Sequence, residues 1–302
     1  MGTLFRVKLY AETEQSARAA AQAAFQRVRE LDARLSDYRP DSELNSLSAE
    51  PRRLSADLFA VLEHAHRVAR ETGGAFDVTA GPVIRLWRDA RKTGVLPSGR
   101  QVEEAMRASG YRNLGLDPVS RSAYLRVSGM QLDLGGIAKG YAADEALSVL
   151  RSRGITRALV AASGDIAVGE APPGSEGWRI GIDPFERGLG FERVFTLKNR
   201  GISTSGDANQ HSEIGGVRYS HVVDPRTGMA LTVRIAITVI ADSCMAADAL
   251  ATAGSVLPDY PESVPGVRIF ITRGEGESGL FAGRGIRGFL QNFRSPDHGE
   301  QI

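Results

Sequence analysis

The chain has 302 residues, of which 42% are apolar and 24% charged. That composition suits a globular protein with a full core and excludes a disordered or fibrous chain. Lys and Arg number 37 against 36 Asp and Glu, a balance that gives no support to general nucleic-acid or polyanion binding. The single cysteine, Cys244, excludes an intramolecular disulfide and a Cys/His metal cluster. Its neighbours Ser243, Met245, Ala246 and Ala247 mark it as buried packing, not as a nucleophile.

No stretch approaches the roughly 20 apolar residues of a membrane span, so no transmembrane segment is expected. Residues 3–10 alternate like a strand and lack a signal-peptide core. As it stands the sequence reads as cytoplasmic, with an exported or periplasmic protein as the alternative if a leader has been removed.

Residues 13–35 carry Phe25, Val28, Leu31 and Leu35 at helical spacing, which predicts an amphipathic helix. It ends in the turn-rich loop Ser36 to Ser42, and Ser42 to Leu47 reads as a short helical turn. Residues 55–71 form a second amphipathic helix with Ser55 as N-cap, stopped by Gly73-Gly74. Residues 101–109 are a third helical segment. Tyr124–Val127 and Gln131–Leu134 read as two strands of a meander. A glycine turn follows, Gly135-Gly136, and then a helix over 139–152.

Further strands are expected at 157–162, 163–169, 178–182, 193–197 and 201–206. A strand over 220–223 runs into Asp224-Pro225-Arg226-Thr227-Gly228. Another covers 235–240, and a small-residue helix covers 243–256. A closing hairpin spans 267–272 and 279–282. Strands outnumber helices, yet the long helices exclude an all-β fold. The reading is α+β, largely antiparallel sheets with packed helices, in a single compact unit over 1–290 and a polar tail over 291–302.

Two stretches carry the clearest chemistry. In Leu132 to Asp144, small residues after a strand let backbone approach a ligand, and exposed amides at a helix start attract phosphate. The pattern is neither a P-loop nor a dinucleotide fingerprint. Read alone, Gly135-Gly136 is a plain tight turn first and a phosphate site second. In Ala247 to Thr252, Asp248 and Thr252 stand one helical turn apart on one face. A carboxylate and a hydroxyl are hard ligands suited to Mg²⁺, against the alternative of a Thr bonded back to its own helix. His221 precedes a polar turn and suits a general base. Thr204-Ser205-Gly206-Asp207 has a similar hydroxyl-rich character. Tyr38, Phe76 and Trp87 offer flat faces to a heterocycle, or ordinary packing.

Taken in order, the segments Met1–Thr3, Ser36–Leu47, Thr72–Thr79, Leu132–Asp144, Gly201–Gly206, Tyr219–Gly228 and Ala241–Thr252 resemble the FAD:protein FMN transferase (ApbE) family. The resemblance implies a T-fold-like α+β domain. It implies an enzyme that cleaves the pyrophosphate of FAD with Mg²⁺, attaches FMN through a phosphoester to a Thr or Ser of an acceptor flavoprotein, and releases AMP. Asp248 and Thr252 match the family's metal ligands, with main-chain oxygens of Ala138 and Ala251 beside them. Met1, Tyr38, Ala75, Phe76, Asp77, Tyr141 and Val222 match positions lining the FAD site, and Asn45 lies in a loop near it. His221 matches the histidine acting near the reacting phosphate. An FAD pyrophosphatase, releasing FMN and AMP, and a non-catalytic flavin-binding protein are the alternatives. Where the family commonly has two glycines before an aspartate, this chain has Ser163-Gly164-Asp165.

Overall fold

The computed structural model describes residues 2–183, 193–206, 210–257, 266–273 and 278–281. Met1, Asp207, residue 282 of the expected closing hairpin and the tail from 291 lie outside the described residues.

The chain starts with β1 (Phe5–Leu9) and then α1 (Glu14–Leu35), whose Thr13 hydroxyl accepts the Ser16 amide at 3.1 Å. A short 3-10 turn (Leu44–Ser46) and β2 (Arg52–Arg53) lead to α2 (Ala56–Glu71), capped by Ser55. Next come α3 (Gly81–Thr93) and α4 (Gly99–Arg107). The first opens with Pro at its start and closes on Gly94 at φ 71°, and the second opens with a Ser98/Gln101 capping box. These are favoured stop and start residues. The small sheet β2–β4–β3 follows, with β3 at Leu114–Asp117 and β4 at Ser122–Leu125.

After α5 (Ala138–Ser152) come β5 (Ala158–Ala162), β6 (Asp165–Val168), β7 (Trp178–Ile182), β8 (Arg193–Leu197) and β9 (Arg200–Gly206). The hairpins β10–β11 (His211–Ile214, Val217–Ser220) and β12–β13 (Val223–Asp224, Met229–Ala230) precede β14 (Ile235–Ala241). Last are α6 (Cys244–Val256), β15 (Arg268–Arg273) and β16 (Ser278–Phe281). The main sheet has seven strands in the order β1-β5-β6-β9-β14-β15-β16, and every pairing in it is antiparallel.

All seven residues of β14 are buried, because both faces of the sheet are covered. On one face α5 packs on β5 and β6, and α6 on β9 and β14. On the other, Trp178, Ile180 and Leu197 of the β7–β8 hairpin cluster with Ile202 and Ile240. Helix α6 is built largely of Ala, Gly and Ser, and α5 carries Ala138, Gly140, Ala142 and Ala143 near its start, so the two approach each other closely. A Cβ placed on Gly140 would lie 2.4 Å from the Cys244 carbonyl and 2.9 Å from Asp248 Cβ. Cys244 is fully buried, as its neighbours predict, and burial pushes its thiol well up.

Three local expectations change. Leu132–Leu134 is not a strand: only Gln131 bridges, to Ala80. Leu132 and Leu134 are buried, so the apolar alternation records packing, while the Asp133 amide bonds to Val78 O at 2.7 Å. The strand that pairs with β4 is instead β3, fixed by the Leu114↔Leu125 register. The expected strand at 220–223 divides, because Ser220 and Val222 each bond to Leu231 while His221 turns to the Gln210 carbonyl.

Candidate active site

The glycine turn, α6 and the loops meet at one open cleft of about 830 Å³. Ala138 and Lys139 at the start of α5 line it, with Asp248 and Thr252 of α6, Ser163–Asp165 at the β5–β6 tip, and His221. Tyr38, Ala75, Phe76, Asp77 and Val222 also line it, as do Gly2 and Thr3 beside Met1.

The rotation of α6 is fixed at its first turn. Ser243 accepts the Ala246 amide at 3.2 Å, and the two oxygens of Asp144 accept the Cys244 and Met245 amides at 2.9 Å each. These bonds satisfy the open N–H groups of the helix end. They aim Asp248 and Thr252 at the turn before α5. Asp248 is only 4% exposed. It accepts the Gly140 amide at 3.0 Å and faces the Lys139 ammonium at 3.3 Å. The same ammonium lies 3.0 Å from Asp165, whose other oxygen accepts the Ser203 hydroxyl at 2.5 Å. Burial, together with the Asp165 charge, pushes the Asp248 carboxyl up. Burial pulls the Lys139 ammonium down, but the two carboxylates outweigh it and hold Lys139 above the ordinary lysine range.

The Thr252 hydroxyl makes no hydrogen bond to another described residue, so the back-bond to its own helix that a mid-helix Thr often forms is not made. A partnerless hydroxyl in the cleft wall, beside two buried carboxylates that outnumber their ammonium, is a donor set fit for a small hard cation. Among the described residues no group of three or more His, Cys, Asp or Glu could hold a metal. Ala138 lines the cleft, whereas Ala251 is fully buried behind Thr252 and its carbonyl accepts the Ser255 hydroxyl at 3.1 Å.

His221 follows β11, and its Nδ1 lies 3.1 Å from the Gln210 carbonyl. A carbonyl only accepts, so Nδ1 is the protonated nitrogen in this contact, and the other ring nitrogen is Nε2. Tyr38 is 71% exposed, and the Arg88 guanidinium stacks 4.6 Å from its ring centre. Arg88 also bonds Asp37 and Asp133 at 2.6 Å each, which ties the Tyr38 loop to the glycine turn.

Asn45 and Tyr141 stand apart from the cleft lining. The Asn45 amide donates to the Asp37 and Arg39 carbonyls at 3.1 and 2.8 Å, so it braces the loop that presents Tyr38. Tyr141 donates its hydroxyl to Asp57 at 2.8 Å, in a network with Arg27 and Glu145 between α1, α2 and α5. Asp77 faces the cleft but spends its carboxylate internally, on Thr79 and on the Tyr111 amide at 2.8 Å. Arg88 and Arg91 are cleft residues that the sequence reading did not single out. Their only local signal is a one-turn spacing on α3. The partnership of Lys139 with Asp165 had no local signal either, since 25 intervening positions separate them in the chain.

An antiparallel sheet backed by two small-residue helices, with carboxylate, hydroxyl and imidazole groups around one cleft, defines an α+β protein built to hold a polar ligand. The ApbE family model matches residues 1–263, and the chain belongs to the ApbE family. A Treponema pallidum protein named FAD:protein FMN transferase is 32% identical over 290 residues, spanning 89% of this chain and 80% of its own length. One of the same name from Vibrio cholerae serotype O1 is 31% identical over 261 residues, spanning 83% and 78%. The crystal structure of the ApbE protein from Thermotoga maritima superposes with a TM-score of 0.81 at 30% identity, covering 92% of this chain and 94% of that one.

Proposed function

We propose that this protein is a Mg²⁺-dependent flavin transferase that moves the FMN part of FAD onto a Thr or Ser hydroxyl of an acceptor flavoprotein and releases AMP. Relatives named FAD:protein FMN transferase put it among flavin transferases. The observation that carries the finer reading is that Asp248, Thr252 and His221 line one cleft. Asp248 and Thr252 would hold the cation, with main-chain oxygens of Ala138 and Ala251 as further candidates. When bound, Mg²⁺ supplies charge neutralisation for the diphosphate.

The remaining work falls to side chains of this protein. Tyr38, Ala75, Phe76 and Val222 offer apolar and aromatic surface to the flavin or adenine ring, and Asp77 shapes the adjoining wall. His221, acting through Nε2, takes the proton of the acceptor hydroxyl. The hydroxyl oxygen then bonds to the FMN phosphorus as the bond from that phosphorus to the AMP oxygen breaks. A general base of this kind supplies about 10²- to 10⁴-fold.

The test is intact-mass measurement of an acceptor domain bearing the target Thr after incubation with the protein, FAD and Mg²⁺. An FMN-sized gain that vanishes without Mg²⁺ is expected. Free FMN and AMP with an unmodified acceptor would replace the transferase with a pyrophosphatase.

A further inference from the structure

Lys139 is the group that joins the two buried carboxylates. Its ammonium lies 3.0 Å from Asp165 and 3.3 Å from Asp248, and it donates to the Gly135 carbonyl at 2.7 Å. Asp165 sits on β6 and Asp248 on α6, exposed by 3% and 4%. Asp165 is held in place by the Ser203 hydroxyl, and Asp248 by the Gly140 amide. Two carboxylates and one ammonium leave one formal negative charge in a largely dry wall. Without the ammonium, two like charges would share the site, an arrangement that burial penalises strongly.

A divalent cation beside Asp248 reverses the problem. With the ammonium still in place the wall would carry net positive charge, and a cation would sit next to a cation. With the ammonium gone, two carboxylates balance one divalent ion. The Lys stem is flexible, it leaves the second residue of α5, and Lys139 itself lines the cleft. Its ammonium can therefore swing into the cleft while the backbone stays still.

We propose that Lys139 is a tethered counter-ion for the Asp165–Asp248 pair, exchanged for the divalent cation when that cation binds. In the metal-free protein the ammonium holds the two carboxylates together and keeps α6 against β6. On cation entry it leaves Asp248 for the cleft, where the diphosphate of the substrate gives it a new anionic partner. Asp165, which lies on the sheet side of the ammonium, supplies the second carboxylate against which the entering divalent charge is balanced. The inference rests on Asp248 being a metal ligand, as proposed above.

The test is calorimetric titration of MgCl₂, without FAD, into EDTA-treated wild type and variants, with melting curves in EDTA and in saturating MgCl₂. Lys139→Met is expected to bind Mg²⁺ at least about tenfold more tightly than wild type and to melt lower in EDTA, with Mg²⁺ restoring the loss. Asp165→Asn leaves the ammonium paired with Asp248 alone and is expected to weaken Mg²⁺ binding about tenfold. The double variant restores the wild-type charge balance and is expected to return the affinity to near the wild-type value.

Lys139→Met binding no tighter than wild type overturns the exchange. If Lys139→Met does not fold in either buffer, Asp165→Asn decides: an affinity equal to wild type overturns the proposal. Asp248→Ala separates the two ideas. If Asp248→Ala binds Mg²⁺ as wild type does, the metal role of Asp248 fails and the exchange falls with it. If Asp248→Ala loses binding while Lys139→Met gains none, the exchange alone is overturned.

Discussion

Gly136 lies directly beneath Thr252: a Cβ on Gly136 would come within 2.7 Å of Thr252 Oγ1 and 3.3 Å of the Phe76 ring. The absence of a side chain at Gly136 is what lets the Thr252 hydroxyl reach the cleft. Gly136→Ala is expected to push Thr252 aside, destabilising the fold by about 1–3 kcal/mol and lowering turnover by at least about tenfold. Adding Thr252→Ala should relieve the clash and recover the melting temperature without recovering turnover. Recovery of both would show that the Thr252 hydroxyl has no part in the chemistry.

Asp248→Ala should abolish Mg²⁺-dependent turnover with the fold intact. The reason is electrostatic: once Asp248 is gone, Lys139 keeps Asp165 as its partner at 3.0 Å, so no buried charge is orphaned. Mg²⁺ plus FAD should raise the wild-type melting temperature and leave that of the variant unchanged. A variant that melts far below wild type in EDTA would contradict this account.

Asn45 acts through the loop it braces. Asn45→Ala removes side-chain hydrogen bonds to the Asp37 and Arg39 carbonyls and should cost about 1–2 kcal/mol. Because Tyr38 rides on that loop, the KM for FAD should rise more than kcat falls. Steady-state kinetics at fixed acceptor concentration separates the two. An effect on kcat alone would place Asn45 in the chemical step.

Ser163 sits at φ 59°, in the left-handed region where L residues are strained. It opens the two-residue turn between β5 and β6, whose ends are the pair Ala162↔Asp165. Glycine adopts this backbone freely, whereas serine meets it under strain. Ser163→Gly should stabilise the protein by about 1 kcal/mol, read as a higher urea midpoint with an unchanged slope.

Two half-buried groups should tilt the pH dependence of stability in opposite directions. Burial pushes the Asp144 carboxyl up to about 6, against the pull of the Cys244 and Met245 amides. The folded state then holds a proton that the unfolded chain, with an ordinary carboxyl near 4, has already released. Through Asp144, stability therefore falls as pH rises from about 4 to 6. Burial, assisted by Arg67, lowers His64 to about 4. The unfolded chain takes up that proton first, so through His64 stability rises with pH from about 4 to 6.5. Relative to wild type, Asp144→Asn should steepen the rise of the urea midpoint with pH across this window, and His64→Gln should flatten it. Parallel profiles for all three proteins would rule out both assignments.

Much of this protein is written in short-range pattern. Helical spacing of Leu31 and Leu35, and of Leu58, Leu62 and Ala65, marked α1 and α2. Ser55 marked the start of α2, since capping is a contact within three residues. Alternation and β-branched content located most strands of the main sheet. The motif order pointed to the family, and the one-turn spacing of Asp248 and Thr252 put both on a single face of α6. Where the pattern misled, burial had mimicked pairing: Leu132 and Leu134 alternate because both pack inward, and no partner strand is required for that.

Tertiary structure decided what each polar group spends its bonds on. Spacing does not reveal that Asp77 is consumed by Thr79 and Tyr111, that Tyr141 turns away to Asp57, or that Asn45 braces a loop. Nor does it reveal that Lys139 lies between Asp165 and Asp248, residues drawn from three elements. Secondary structure follows from local backbone preference and periodic burial, which a sequence carries in each window. The site follows from which distant groups the antiparallel pairing of β6, β9 and β14 and the close packing of α5 on α6 bring within hydrogen-bond reach, and that is a property of the packed chain.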